Sequence, residues 1–332
     1  MNIKEKCLGC LAGVAIGDAL GMPAEFLTPN QIRKRFGVIK KFYRAPKGHP
    51  NSFLKAGQVT DDTRETLVVA NCLIKNGRIT AKLMADEFIR WAKNEDALKL
   101  PFIGPSTKIG IKRLLSGENP RSSGRDGTTN GACMRVSPVG IANAGEIEKC
   151  ISETAQACMP THGTSIAISG ASAVSCAISE AMKEGATVES VIEAAIIGAK
   201  KGGRMGIASP APSVHRRIEM ALKIVGEHKN PKDAARELYE IVGTGLSPAE
   251  TVPSAIGIFA ACGGKFREGI IIAANAGGDT DTLASIVGAI TGAFTGIRKV
   301  PQNWFEIVER VNSLNLKKYS EKLFEILAER SK

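Results

Sequence analysis

Aromatic side chains make up only 5% of this 332-residue chain, and histidine occurs four times. The usual nucleic-acid footing of basic residues interleaved with aromatics is therefore thin, and no DNA- or RNA-binding signature replaces it. Strand-like alternation is nearly absent too, with "GVIKKFY" from Gly37 the one short pattern of that kind. No glycine-rich loop stands in the context of a P-loop or a dinucleotide fold. No apolar run looks like a membrane span: the stretch 154–179 is interrupted by Gln, Thr, Ser and Gly. The opening "MNIKEKCLGC" has no apolar core before a cleavage site, which argues against a signal peptide.

The eight cysteines follow no disulfide-like spacing, which suits a reducing cytoplasm. Cys7 and Cys10 form the only C-x-x-C and lack the second pair that a structural zinc needs. They lie on an apolar helical face, so two buried thiols are expected. The charge is basic, 44 Lys plus Arg against 33 Asp plus Glu, or +11. These residues are spread over many helical segments. A solvated surface explains them better than a nucleic-acid partner does.

What the chain does have is helical punctuation. Thr80 caps "AKLMADEFIRWAK"; Asn230-Pro231 opens a helix that Gly243 stops. Ser247-Pro248-Ala249-Glu250 reads as a capping box. At 43% hydrophobic the chain can bury a large core. The loop-like stretches 46–57, 101–105 and 117–131 are short enough to belong to one domain over residues 1–332. The expectation is an all-α fold. Helices rich in Gly, Ala and Ser, such as "ASIVGAITGAFTG", point to close helix–helix approach rather than phosphate binding.

Two acidic clusters stand out. "GQVTDDT" puts Asp61 and Asp62 between Thr60 and Thr63, and "NAGGDTDT" puts Asp279 and Asp281 beside Thr280 and Thr282. Each precedes an apolar helix, so each could supply a cap. Capping uses one acid per helix start, whereas here there are two. Oxygen donors without Cys or His select a hard cation. If the fold joins the clusters, Thr60, Asp61, Asp62, Asp279, Asp281 and Thr282 offer oxygens for two ions.

These motifs, with "GCLAGVAIGDALGMPAEF", "NGACMRVSPVGI" and "THGTSIAISGA" in the same order, resemble the ADP-ribosylglycohydrolase family over nearly the whole chain. The resemblance implies a single-domain orthogonal helical bundle with two Mg²⁺ or Mn²⁺ ions. It also implies cleavage of an N- or O-glycosidic bond at the anomeric carbon of ADP-ribose, on protein or on small molecules. It gives metal-ligand roles to the six residues named above, with Asp281 as bridge. Glu25 or Asp62 is implied as the proton acceptor, and Asn130, Gly131 and His162 as lining the ribose and diphosphate pocket. The chain departs from the family at two positions. Phe102, in "PFIGPSTKIG", stands where some members carry an acid, and Asp96 or Asp126 is then a candidate to fill that role. Thr129 stands where the "GNGGAMR" pattern has its first glycine. Three other readings stay open: an N-ribosyl hydrolase of nucleosides or nucleotides using the same centre, a non-catalytic structural relative, and a phosphoesterase. The sequence sets no oligomeric state.

Overall fold

Gly9, Gly13, Gly17 and Gly21 recur at every fourth position of the N-terminal helix Ile3–Gly21, which places them on one stripe. The helix Thr280–Thr295 answers with Thr280, Ala284, Gly288 and Gly292 at the same spacing. In the computed structural model, which describes residues 2–330, these stripes meet backbone to backbone. A Cβ added at Gly13 would lie 1.9 Å from the carbonyl oxygen of Gly288, and one at Gly17 would lie 2.1 Å from that of Ala284. Only glycine permits this approach. By length and composition Ile3–Ala24 could cross a membrane, but 94% of its apolar window is buried inside the protein. It is the central strut of the core.

Among the described residues seventeen α-helices are arranged around this seam, with no strand and only two isolated bridges. One hydrophobic cluster runs from Cys7 to Ile326, with Cys7 and Cys10 fully buried in it as unpaired thiols. The segment 37–43 is irregular rather than a strand. The side-chain amide of Asn275 takes both the N–H (2.9 Å) and the carbonyl (3.0 Å) of Ile39, the pairing a neighbouring strand would have supplied.

Local rules hold at several helix starts. Thr80 accepts from the N–H of Leu83, and Asn230 from that of Lys232. The helix beginning at Pro231 passes through a π-helical turn, Leu238–Val242, before Gly243 ends it at φ +89°. The expected box at Ser247 does not close. Ser247 caps Ala249, but Glu250 turns away to the N–H of Gly245 (3.1 Å), because the loop 243–246 folds back over the helix start.

The last helix, Leu316–Arg330, is clamped by an ion pair. Both terminal nitrogens of Arg330 reach Glu153 at 2.8 Å, and Glu153 also accepts from Asn143 and from the N–H of Ile79. Burial pulls the Glu153 carboxyl upward, but Arg330 and the other donors outweigh it, leaving a pKa below the usual glutamate value. A depressed carboxylate stabilises the fold above its unfolded pKa and loses that contribution as pH falls. Glu153→Gln is therefore expected to cost roughly 2–3 kcal/mol at pH 7. The difference from wild type should shrink below about pH 4. Equal denaturant midpoints at pH 7 would contradict this.

Candidate active site

Asp61 and Asp62 begin the helix Asp61–Asn76, and its N-terminal amides are capped from another helix. Asp18, fully buried in the first helix, accepts from the N–H groups of Thr60 (3.0 Å) and Thr63 (3.1 Å). It also accepts from their hydroxyls, at 2.9 and 2.5 Å. The dipole at the helix start favours this carboxylate. The flanking threonines thus serve Asp18, and Thr60 lies behind the cavity wall rather than on it. Sequence reasoning left Asp18 without a role. The available signal was a charged residue inside an apolar helix, which must find partners when buried.

The second cluster is placed by backbone geometry. Gly277 and Gly278 adopt φ of +85° and +77°, and a Cβ at Gly278 would come within 2.4 Å of Thr244. The N–H of Asp279 bonds the carbonyl of Thr244 at 2.7 Å. Gly278 also pairs with the turn after Glu25: Phe26 N–H donates to its carbonyl (2.7 Å), and its own N–H donates to Leu27 (3.0 Å). Phe26 pays for that bridge with φ +61°, a strained value for a bulky side chain. The bridge brings Glu25 to the acids of the 280s. Glu25, Asp279 and Asp281 each offer an oxygen within 4.8 Å of the others.

Glu25 is held from the loop 46–57. Asn51 donates to Oε2 at 2.5 Å, and His49 Nε2 bonds the Glu25 carbonyl oxygen at 2.7 Å. His49 Nδ1 in turn accepts from the N–H of Asn51 (3.0 Å), so the ring carries its proton on Nε2. Neither residue was legible as a site residue in "KGHPNS", because the contact spans the fold.

Asp61, Asp62, Asp279, Asp281 and Thr282 line one cavity of about 200 Å³ with Glu25, and among the described residues no Lys or Arg lines it. Burial, then the neighbouring carboxylates, pushes Asp62 and Asp281 well above the usual range. Glu25 is raised to about 8, by burial first and Asp279 second. Asp62 Oδ1 is buried with no hydrogen-bond partner. A crowded all-oxygen set with an unpartnered carboxylate oxygen and neither Lys nor Arg on its wall fits hard divalent cations.

Asn130 and Gly131 open the short helix Gly131–Arg135 on the same cavity. Both amide hydrogens of Asn130 are engaged, one by Asp279 (2.5 Å) and one by Thr251 (2.9 Å), so its side chain steadies a cluster acid. His162 ends the helix Ile147–His162, just before the apolar helix Ser165–Ala181, and is 1% exposed. Its ring packs on Gly131, where a Cβ would be 2.9 Å from Nε2. Burial, then the charge of Arg135, holds its pKa well below the usual value, and the ring is neutral.

Phe102 lines the cavity and stacks on Phe53, with centroids 6.2 Å apart and planes 10° apart. The neighbouring Gly104 donates its N–H to Asp61 (3.1 Å). Asp96 and Asp126 do not take the place of the missing acid. Asp96 pairs with Lys99 and Asp126 with Arg113, both exposed and off the cavity wall.

Comparison with known proteins bears on the family and the fold. The sequence profile of the ADP-ribosylglycohydrolase family matches residues 1–332. The protein YegU of Escherichia coli is 32% identical over 319 residues, covering 95% of each chain. The ADP-ribosyl-[dinitrogen reductase] glycohydrolase of Rhodospirillum rubrum is 27% identical over 312 residues, covering 91% of this chain and 90% of its own. Among solved structures, an ADP-ribosylglycohydrolase-related protein complex superposes with a TM-score of 0.73 at 24% identity, covering 98% of both chains, which speaks to the fold.

Proposed function

The chain belongs to the ADP-ribosylglycohydrolase family and is a glycosyl hydrolase, and on that premise we propose that it cleaves a ribosyl glycosidic bond at this cavity with the help of divalent cations. The observation that carries the reading is the meeting of acids from both ends of the chain on one cavity wall. Asp61, Asp62, Asp279, Asp281 and Thr282 would hold Mg²⁺ or Mn²⁺, and Thr60 would contribute from behind through Asp18. Bound there, two such ions supply positive charge that polarises ribose hydroxyls and acidifies a water.

The chain's own residues do the rest. Glu25, fixed through Oε2 by Asn51, is placed to take the proton of the attacking water, and Asp62 with its unpartnered Oδ1 is the alternative acceptor. The transition state at the anomeric carbon carries oxocarbenium character, which faces a wall of carboxylates. Gly131 and His162 shape the floor on which the sugar and its phosphates rest. The eight unpaired, buried cysteines support a cytoplasmic location.

One feature favours a particular leaving group. Pro101, Phe102 and Ile103 present an apolar face to the cavity, at the place where the family resemblance implies an acid in some members. A departing guanidinium gains from a carboxylate partner, whereas a nucleobase or an oxygen leaving group does not need one. In a product screen with Mg²⁺ or Mn²⁺, ADP-ribosyl-arginine should show a lower kcat/KM than O-linked ADP-ribose or nucleoside-type compounds. Efficient cleavage of the arginine adduct, with little turnover of the others, would overturn this preference. Loss of all turnover in EDTA, restored by either ion, is expected alongside it.

A further inference from the structure

Behind His162 runs a chain of hydrogen bonds that the proposed chemistry does not use. Arg135, fully buried, pairs with buried Glu65 at 2.5 Å, and its Nη2 donates to Thr161 Oγ1 at 2.6 Å. Thr161 Oγ1 lies 2.8 Å from His162 Nδ1. On the far side of the ring, Nε2 lies 3.0 Å from Thr129 Oγ1, which donates to Ser106 Oγ at 3.1 Å.

The direction of this chain follows from the donor inventory. A guanidinium has hydrogens to give and no acceptor, so Thr161 Oγ1 must accept from Arg135. The hydroxyl hydrogen of Thr161 is then free for His162, and Nδ1 receives it. A neutral imidazole that accepts at Nδ1 carries its proton at Nε2, and that proton goes to Thr129 Oγ1. Thr129 passes its own hydrogen to Ser106. The opposite tautomer would put two donors on Thr161 Oγ1 and leave the hydroxyl hydrogen without Nδ1 as acceptor in a buried place, which is costly.

We propose that Arg135 and Thr161 are positioning residues that lock His162 in its Nε2–H form, and that Thr129 is the acceptor that orients this proton at the cavity wall. The order is imposed from the Arg135 side only. Thr129, a departure from the family's glycine, receives it and does not set it. Where a glycine at 129 would leave Nε2–H aimed at the ligand, this chain presents a threonine oxygen, whose remaining lone pair accepts from a ligand hydroxyl such as those of ribose. The part about ligand binding rests on the ribosyl-hydrolase reading; the part about the ring does not.

The test is nitrogen NMR of the histidine rings in the full-length protein at pH 7, with His162 assigned through His162→Gln. Wild type should show His162 as a single Nε2–H ring, and a detectable Nδ1–H or protonated form would overturn the proposal. Thr161→Val should admit the second tautomer, Thr161→Ser should restore the single one, and Thr129→Val should leave it unchanged. If Thr129→Val and not Thr161→Val releases the second tautomer, the assigned direction is wrong. On whichever ribosyl compound wild type cleaves, Thr161→Val and Thr129→Val should raise KM about tenfold with kcat within about threefold. A fall confined to kcat would place His162 in the chemical step and refute the positioning role. Melting curves separate these effects from misfolding, and the Thr161→Ser variant guards against it. If wild type cleaves no ribosyl compound, the functional reading fails while the ring measurement still decides this one.

Discussion

Replacing Asp281 by asparagine is expected to lower turnover by roughly a thousandfold or more while leaving the protein folded and, once stripped of metal, more stable than wild type. Asp281 is 3% exposed, and burial followed by the charges of Glu25, Asp279 and Asp62 drives its carboxyl well above the usual range. Asparagine keeps the shape and removes the charge that a cation would meet. The helix behind it, Thr280–Thr295, is held by its apolar face and the glycine seam, neither of which the substitution touches. Relief of like-charge repulsion should therefore raise the metal-stripped melting temperature by about a few degrees. Added Mn²⁺ should stabilise wild type more than the variant. Near-normal turnover in metal-replete buffer would mean that this cluster only caps its helix.

Gly17→Ala tests the scaffold that aligns the acids. The new methyl carbon would lie 2.1 Å from the carbonyl oxygen and 2.3 Å from the carbonyl carbon of Ala284. Those are backbone atoms in the middle of a helix and cannot rotate away, so the two helices must separate. Overpacking a core typically costs about 1–3 kcal/mol, and a clash with rigid backbone belongs at or beyond the upper end. The separation also reaches the site. Glu25 follows the end of the first helix, and Asp281 lies one turn before Ala284 on the other. Stability, metal retention and turnover should fall together. Gly226→Ala is the control, since a Cβ there meets nothing within 4 Å. Denaturant midpoints should place Gly226→Ala near wild type and Gly17→Ala far below; equal midpoints would show that the seam tolerates a side chain.

The acids themselves were legible because paired carboxylates beside hydroxyls are excessive for capping, and the all-helical fold was legible from caps and stops. The supporting residues were not. Asp18, His49, Asn51 and Asn275 act on partners far away in sequence, and no local pattern announces such a pairing. Tertiary context also overrode local rules in two places. Glu250 has the spacing of a capping box, yet the backbone of Gly245 was nearer. The 37–43 segment alternates like a strand, but Asn275 met its polar groups first. Thr60 has the same kind of distant partner at the site, because its hydroxyl donates to Asp18, 42 positions away on the first helix.

The glycine seam also imposes an order in time. It unites the first helix with one near the other end of the chain, and 259 positions separate Gly21 from Thr280. A ribosome adding about 5–20 residues per second needs roughly 13–52 s to cover that distance. Throughout that interval the stripe from Gly9 to Gly21 has emerged without its mate, on a helix apolar enough to enter a bilayer. During synthesis the one described helix long and apolar enough to cross a bilayer must therefore stay clear of membranes and of other chains until its distant partner arrives.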